Sequence, residues 1–197
     1  SGDVELDGTP RMRERPIGHL VDALASLGVR VTQLGASGFP PLAARGPMSG
    51  GTVRVDASVS SQFTTAILLA APHATSDLTI GTAGAVVSRP YLQATLDALG
   101  AFGIDAGETS DGWRISAGAY AAQHVVVEPD ASAAVYPWVG AAMSGGNVIV
   151  VGLTSLGNSQ ADLSLLDVLE LMGASVAQEA DGLRVEGHGP LKGVEAD

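Results

Sequence analysis

The chain has 197 residues, 46% of them hydrophobic, so it can bury a sizeable core; only 4% are aromatic while glycine reaches 26, a mixture that suits thin, closely packed α/β layers. Ten cations face 21 carboxylates, a formal net charge of −11, which excludes a broad nucleic-acid surface and charge-driven binding to anionic membrane. With no cysteine there are no disulfides, thiolate metal sites, cysteine nucleophiles or iron–sulfur clusters, and the longest apolar runs, residues 66–71 and 148–151, fall far short of the roughly 20 residues a membrane helix needs.

In chain order the patterns predict a strand over residues 4–7, a helix over 16–27, a strand over 29–34 and another over 42–45. A strand follows over 52–57, where Val53 and Val55 alternate, then a helix over 60–71 and a strand over 78–81. Next come a helix running through Asp97 to Gly103 and a hairpin of 104–106 with 113–116. The last third repeats this order: strand 125–128, helix 133–143, strand 148–151, a helix running through Asp167 to Gly173, and a hairpin of 175–178 with 183–186. Each hairpin turns through an Asp-Gly pair, Asp111-Gly112 and Asp181-Gly182, a common tight-turn dipeptide.

The repeat is the strongest organisational signal. Asp22 to Gly28, Asp97 to Gly103 and Asp167 to Gly173 each read as the end of an amphipathic helix closed by glycine, which relieves the left-handed conformation there. The unit is β-α-β-α-β-β, about 70 residues long; residues 52–117 and 124–187 are two full copies, and 3–46 match only the second half of one. An α/β fold of repeated units follows. A chain that starts in mid-unit reads as an internal segment of a longer protein; the alternative is a small protein with a degenerate first repeat.

Three polar helix starts stand out in this acidic chain. Arg11, Arg13 and Arg15 lie directly before Pro16, the predicted first residue of a helix, where guanidinium groups and free N–H groups suit a carboxylate or phosphate. The same cations could instead be a solvated loop that balances local acids. Ser58, Ser60 and Ser61 precede an apolar helix; one serine suffices as an N-cap, and three are present, followed by Gln62 with both a donor and an acceptor. Ser88-Arg89-Pro90-Tyr91 repeats the logic, with capping again the simpler alternative. Together they point to a small, phosphorylated, anionic ligand. His19, His73, His124 and His188 are scattered without metal-ligand spacing, and the glycine-rich turn Ser49-Gly50-Gly51 lacks the lysine of a phosphate-binding loop and precedes a strand.

The segments from Gly8 to Leu20, from Val59 to Phe63 and from Val87 to Tyr91, in this order and spacing, resemble the 5-enolpyruvylshikimate-3-phosphate synthase (3-phosphoshikimate 1-carboxyvinyltransferase) family. The resemblance covers essentially the whole chain. It implies a fold of two globular domains, each of three β-α-β-α-β-β units, with residues 1–127 in the first and 128–197 opening the second. It implies transfer of the carboxyvinyl group of phosphoenolpyruvate to the 5-hydroxyl of shikimate 3-phosphate, through a tetrahedral adduct, without a metal or organic cofactor. By the same resemblance Arg15 and Gln62 would hold phosphoenolpyruvate, and Ser60, Ser61, Gln62, Ser88 and Tyr91 would hold shikimate 3-phosphate. The family's acid–base residues match no position in the chain, so the segment alone is expected to be inactive. The resemblance further implies a cytoplasmic enzyme, monomeric at full length, with no nucleic-acid or membrane partner. The sister transferase acting on UDP-N-acetylglucosamine shares the repeat but is disfavoured by the serine and tyrosine motifs; a non-catalytic ligand-binding repeat module is the third reading. Pro137 departs from the family pattern and is expected to kink its helix or move its start.

Overall fold

The structure, a computed structural model, describes residues 3–56, 60–83, 86, 88–155 and 160–195. Ser58, Val59, Val87, Asp197 and the 156–159 stretch lie outside them. The chain divides into two compact units, Ser1–His124 and Val125–Asp197.

The first unit opens with strand β1 (Asp3–Leu6), a one-turn helix α1 (Pro10–Arg13), helix α2 (Gly18–Ser26) and strands β2 (Arg30–Gln33) and β3 (Leu42–Arg45). These strands form an antiparallel sheet in the order β1-β3-β2. A complete repeat follows: β4 (Gly51–Asp56), α3 (Ser61–Ala70), β5 (Leu78–Ala83), α4 (Arg89–Ala101), β6 (Ala106–Thr109) and β7 (Gly112–Ile115). Its sheet runs β4-β5-β7-β6, with β4 parallel to β5 and the other pairs antiparallel. The second unit contains α5 (Ala131–Ser144), β8 (Asn147–Val151), α6 (Leu165–Met172), β9 (Ser175–Gln178) and β10 (Gly182–Glu186), its sheet ordered β8-β10-β9.

The repeat is visible in topology. Each copy is a strand, a helix and a hairpin whose second arm inserts beside the first strand: β1-β3-β2, β5-β7-β6 and β8-β10-β9. It is also visible in one backbone device. Gly28, Gly103 and Gly173 all take positive φ, 82°, 80° and 104°. In each case the next residue's N–H reaches back to a leucine carbonyl five residues earlier: Val29 to Leu24, Ile104 to Leu99 and Ala174 to Leu169, at 2.9–3.0 Å. That closure satisfies carbonyls the helix end leaves open and turns the chain into the hairpin.

Ala23 of α2 and Leu27, the residue that caps its end, join Val53, Ile67, Leu78, Leu92 and Ile115 in one core, so the opening half repeat packs onto the complete one. The second unit has its own core around buried Trp138, whose indole N–H donates to the Leu183 carbonyl at 3.3 Å.

Four expectations need correction. The predicted helix over 16–27 begins at Gly18, because Ile17 is held at a non-helical φ of −127° with its N–H donated to the Gly38 carbonyl at 2.8 Å, and Pro10–Arg13 form the separate helix α1. Residues 125–128 form no strand: Val126 and Val127 are 89% and 87% exposed, with no neighbouring strand to pair them. The first arm of the first hairpin is 106–109, not 104–106, since Ile104 is spent on the helix closure. The helix predicted over 133–143 runs from Ala131 to Ser144 with Pro137 inside it, because the Asp130 carboxylate accepts the Ser132 N–H at 2.8 Å and caps it two residues earlier.

Candidate functional site

Helices α3 and α4 lie side by side, and α3 with the first half of α4 borders a cleft of about 730 Å³. Ser60, Ser61 and Gln62 line it from the start of α3, and Ser88 and Tyr91 from the start of α4. Five of the residues nominated from sequence are thus brought to one place from segments 26 or more residues apart. Thr65, Ala66, Leu69 and Thr95 complete the wall and were not nominated. Their signal was in the spacing: Thr65 and Leu69 follow Ser61 by one and two turns, and Thr95 follows Tyr91 by one, so they share its helix face.

The serines differ in what they are already doing. Ser60 is the N-cap of α3, and its hydroxyl accepts the Gln62 N–H at 3.2 Å. Ser61 is the first helical residue and makes no such bond. Ser88 precedes α4 with φ 56°, a left-handed conformation that costs a non-glycine residue energy, and its side chain makes no cap bond. Tyr91 lines the cleft while 53% exposed.

The electrostatics favour an anion. Among the described residues no acidic side chain lines the cleft, and none occupies the first turn of α3 or α4, in a chain of net charge −11. The starts of two helices, where the backbone carries partial positive charge, border the same space.

The cations are placed differently from expectation. Arg89 does not enter the cleft; it pairs with Glu108 at the end of the β6–β7 hairpin. Arg11 is held by Glu14 at 2.6 Å, and both carboxylate oxygens of Asp7 accept from Arg13, at 2.8 and 2.5 Å. The Arg13 guanidinium, helped by the Gly8 N–H, holds the Asp7 carboxyl below the usual range, and Asp7 in turn raises Arg13. Arg15 is exposed, stands at the joint between α1 and α2, and does not line the cleft.

A family profile described as EPSP synthase (3-phosphoshikimate 1-carboxyvinyltransferase) matches residues 1–197. The 3-phosphoshikimate 1-carboxyvinyltransferase of Sulfurovum sp. (strain NBC37-1) is 43% identical over 201 residues, which cover 100% of this chain and 47% of that protein. The protein of the same name from Klebsiella pneumoniae (strain 342) is 42% identical over 200 residues, covering 100% and 46%. A solved EPSP synthase from Acinetobacter baumannii shares the fold with a TM-score of 0.74 at 22% identity, over 99% of this chain and 45% of that one. The chain therefore spans just under half the length of these relatives.

Proposed function

The chain belongs to the EPSP synthase family, and from that premise we propose that it supplies the acceptor-binding part of a 3-phosphoshikimate 1-carboxyvinyltransferase. The observation that carries the reading is the cleft in which Ser60, Ser61, Gln62, Ser88 and Tyr91 meet at two helix starts, with no acid among the described lining residues. In this reading the helix N-termini and the Ser61 and Ser88 hydroxyls bind the phosphate of shikimate 3-phosphate, and Tyr91 borders the ring. Fixed dipoles aimed at one site stabilise a dianion without reorganising at the moment of binding.

The reaction proposed for the whole protein adds the acceptor's 5-hydroxyl oxygen to the vinyl carbon of phosphoenolpyruvate that bears the phosphate. In that addition the hydroxyl loses its proton and the methylene carbon gains one to become a methyl; the tetrahedral adduct then loses inorganic phosphate and a methyl proton to regenerate the double bond. Arg15 would hold phosphoenolpyruvate, a role supported by its exposed guanidinium, and Gln62 would stand between the two substrates. Holding two polyanions together is the main entropic and electrostatic task, and it calls for no metal or organic cofactor. The first unit, Ser1–His124, would belong to one globular domain and residues 128–197 to the next. A cytoplasmic, full-length monomer without nucleic-acid or membrane partners completes the proposal; among the described residues no helix is long and apolar enough to cross a membrane.

Calorimetric titration with shikimate 3-phosphate, with shikimate as control, tests the reading. Phosphate-dependent binding is expected, and Arg15→Ala should weaken phosphoenolpyruvate while leaving shikimate 3-phosphate unchanged. Equal affinity for both shikimates, or preferential binding of UDP-N-acetylglucosamine, would contradict it.

A further inference from the structure

One turn along from the two helix starts, the wall of the cleft carries a hydrogen-bond chain with a fixed direction. Thr95, buried on α4, donates its hydroxyl proton to the Tyr91 carbonyl at 2.8 Å. Its oxygen also lies 3.3 Å from the hydroxyl oxygen of Thr65 on α3. A threonine hydroxyl has one proton to donate. With the Thr95 proton committed to Tyr91, only Thr65 can donate across the gap between the helices. The chain runs from the Thr65 O–H to Thr95 Oγ1, and from the Thr95 O–H to the Tyr91 carbonyl. Both threonines line the cleft, so Thr65 offers a ligand lone pairs and no proton.

The position of this acceptor matters. Thr65 follows Ser61 by four residues, so it lies on the same helix face about 6 Å further along the axis. Leu69 lies another turn along. The α3 wall changes from donors at the rim, to an acceptor, to an apolar end. A ligand that satisfies this order has an anionic group and, about one helical turn along α3 from it, a hydroxyl that donates.

We infer that Thr65 is a specificity-determining residue that accepts a hydrogen bond from a ring hydroxyl of the phosphorylated ligand, and that Thr95 is the positioning residue that fixes the direction of the Thr65 proton. The inference rests on the phosphate-site reading of the cleft. The ligand class is a phosphate monoester of a hydroxylated carbocycle. Sites that hydrogen-bond a substrate hydroxyl reject analogues lacking it, because the site's own polar group is then left unpaired.

The test is calorimetric titration of the full chain and its variants with shikimate 3-phosphate and with its 4-deoxy and 5-deoxy analogues. In the unsubstituted chain, one deoxy analogue should bind about fivefold to tenfold more weakly than the parent. Thr65→Val should weaken the parent by that factor and abolish the discrimination, while Thr65→Ser restores it. Thr95→Val frees the Thr65 hydroxyl to rotate while leaving its lone pairs, so the discrimination should narrow without vanishing, and Thr95→Ser should restore it in full. A purely structural role for either threonine would change all three affinities alike. Should Thr65→Val fail to fold, Thr65→Ala carries the same expectation. Retained discrimination in the folded Thr65 variant overturns this inference and leaves the phosphate site standing. A folded chain with no phosphate-dependent binding overturns both.

Discussion

Ser60 and Ser61 are adjacent and chemically identical, yet the structure assigns them different work, so their alanine variants should separate. The Ser60 hydroxyl caps α3 through the Gln62 N–H. Loss of such a cap costs about 1 kcal/mol. For a unit the size of Ser1–His124 that lowers Tm by about 4 °C. Ser61 is inside the first turn without a cap bond, and alanine is the better helix former, so Ser61→Ala should leave Tm unchanged or slightly raised. Its cost falls on the ligand: a hydroxyl bond to a charged phosphate contributes about 1.5–3 kcal/mol, or about tenfold to 150-fold in affinity for shikimate 3-phosphate. Affinity for unphosphorylated shikimate should change far less. Thermal melts and calorimetric titrations of both variants decide the matter. Equal losses of Tm in the two variants, or equal weakening of both ligands by Ser61→Ala, would refute the division.

Three further outcomes are expected. A Cβ on Gly112 would lie 1.9 Å from the Ile80 carbonyl oxygen, and one on Gly182 would lie 2.2 Å from that of Val150, so alanine at either site should force a strand pair apart at a cost of about 3 kcal/mol. Gly118→Ala, with open space around it, is the control, and unchanged urea midpoints for the first two would sink the argument. Burial raises the Tyr120 phenol, which donates to the Leu69 carbonyl at 2.7 Å. A raised acid contributes stability fully present below its unfolded pKa of about 10 and lost as pH rises through the folded value. The alkaline limb of a stability–pH curve should therefore flatten in Tyr120→Phe, and an unaltered limb would count against this role. Arg89→Ala removes an exposed pair with Glu108 and should change stability by under about 1 kcal/mol with no loss of shikimate 3-phosphate affinity; a large loss would place Arg89 at the site after all.

What was legible in the chain was what is local. The three glycine closures depend on a helix and its own end, and Gly28, Gly103 and Gly173 marked all three copies of the repeat. The serines and Tyr91 could be nominated because helix starts have a local chemistry, and the sheet order then placed the two starts together. What was illegible depends on partners. The 125–128 stretch alternates with β8, α6 and their hairpin much as β4 does with its own, but a strand exists only when something pairs with it, and Val126 and Val127 have no such neighbour. Arg89 shares a motif with Ser88 and Tyr91, yet Glu108, 19 residues away, takes its guanidinium. Thr65 and Thr95 were passed over because each looks like an ordinary helical threonine until the neighbouring helix is in place.

The central claim is that phosphate binds where α3 and α4 begin. Amide chemical-shift mapping during titration with shikimate 3-phosphate tests this residue by residue. The account predicts the largest shifts at the Ser61, Gln62, Arg89 and Tyr91 amides, with unphosphorylated shikimate producing much smaller ones. Shifts concentrated elsewhere, with these four amides unmoved at saturation, would contradict it.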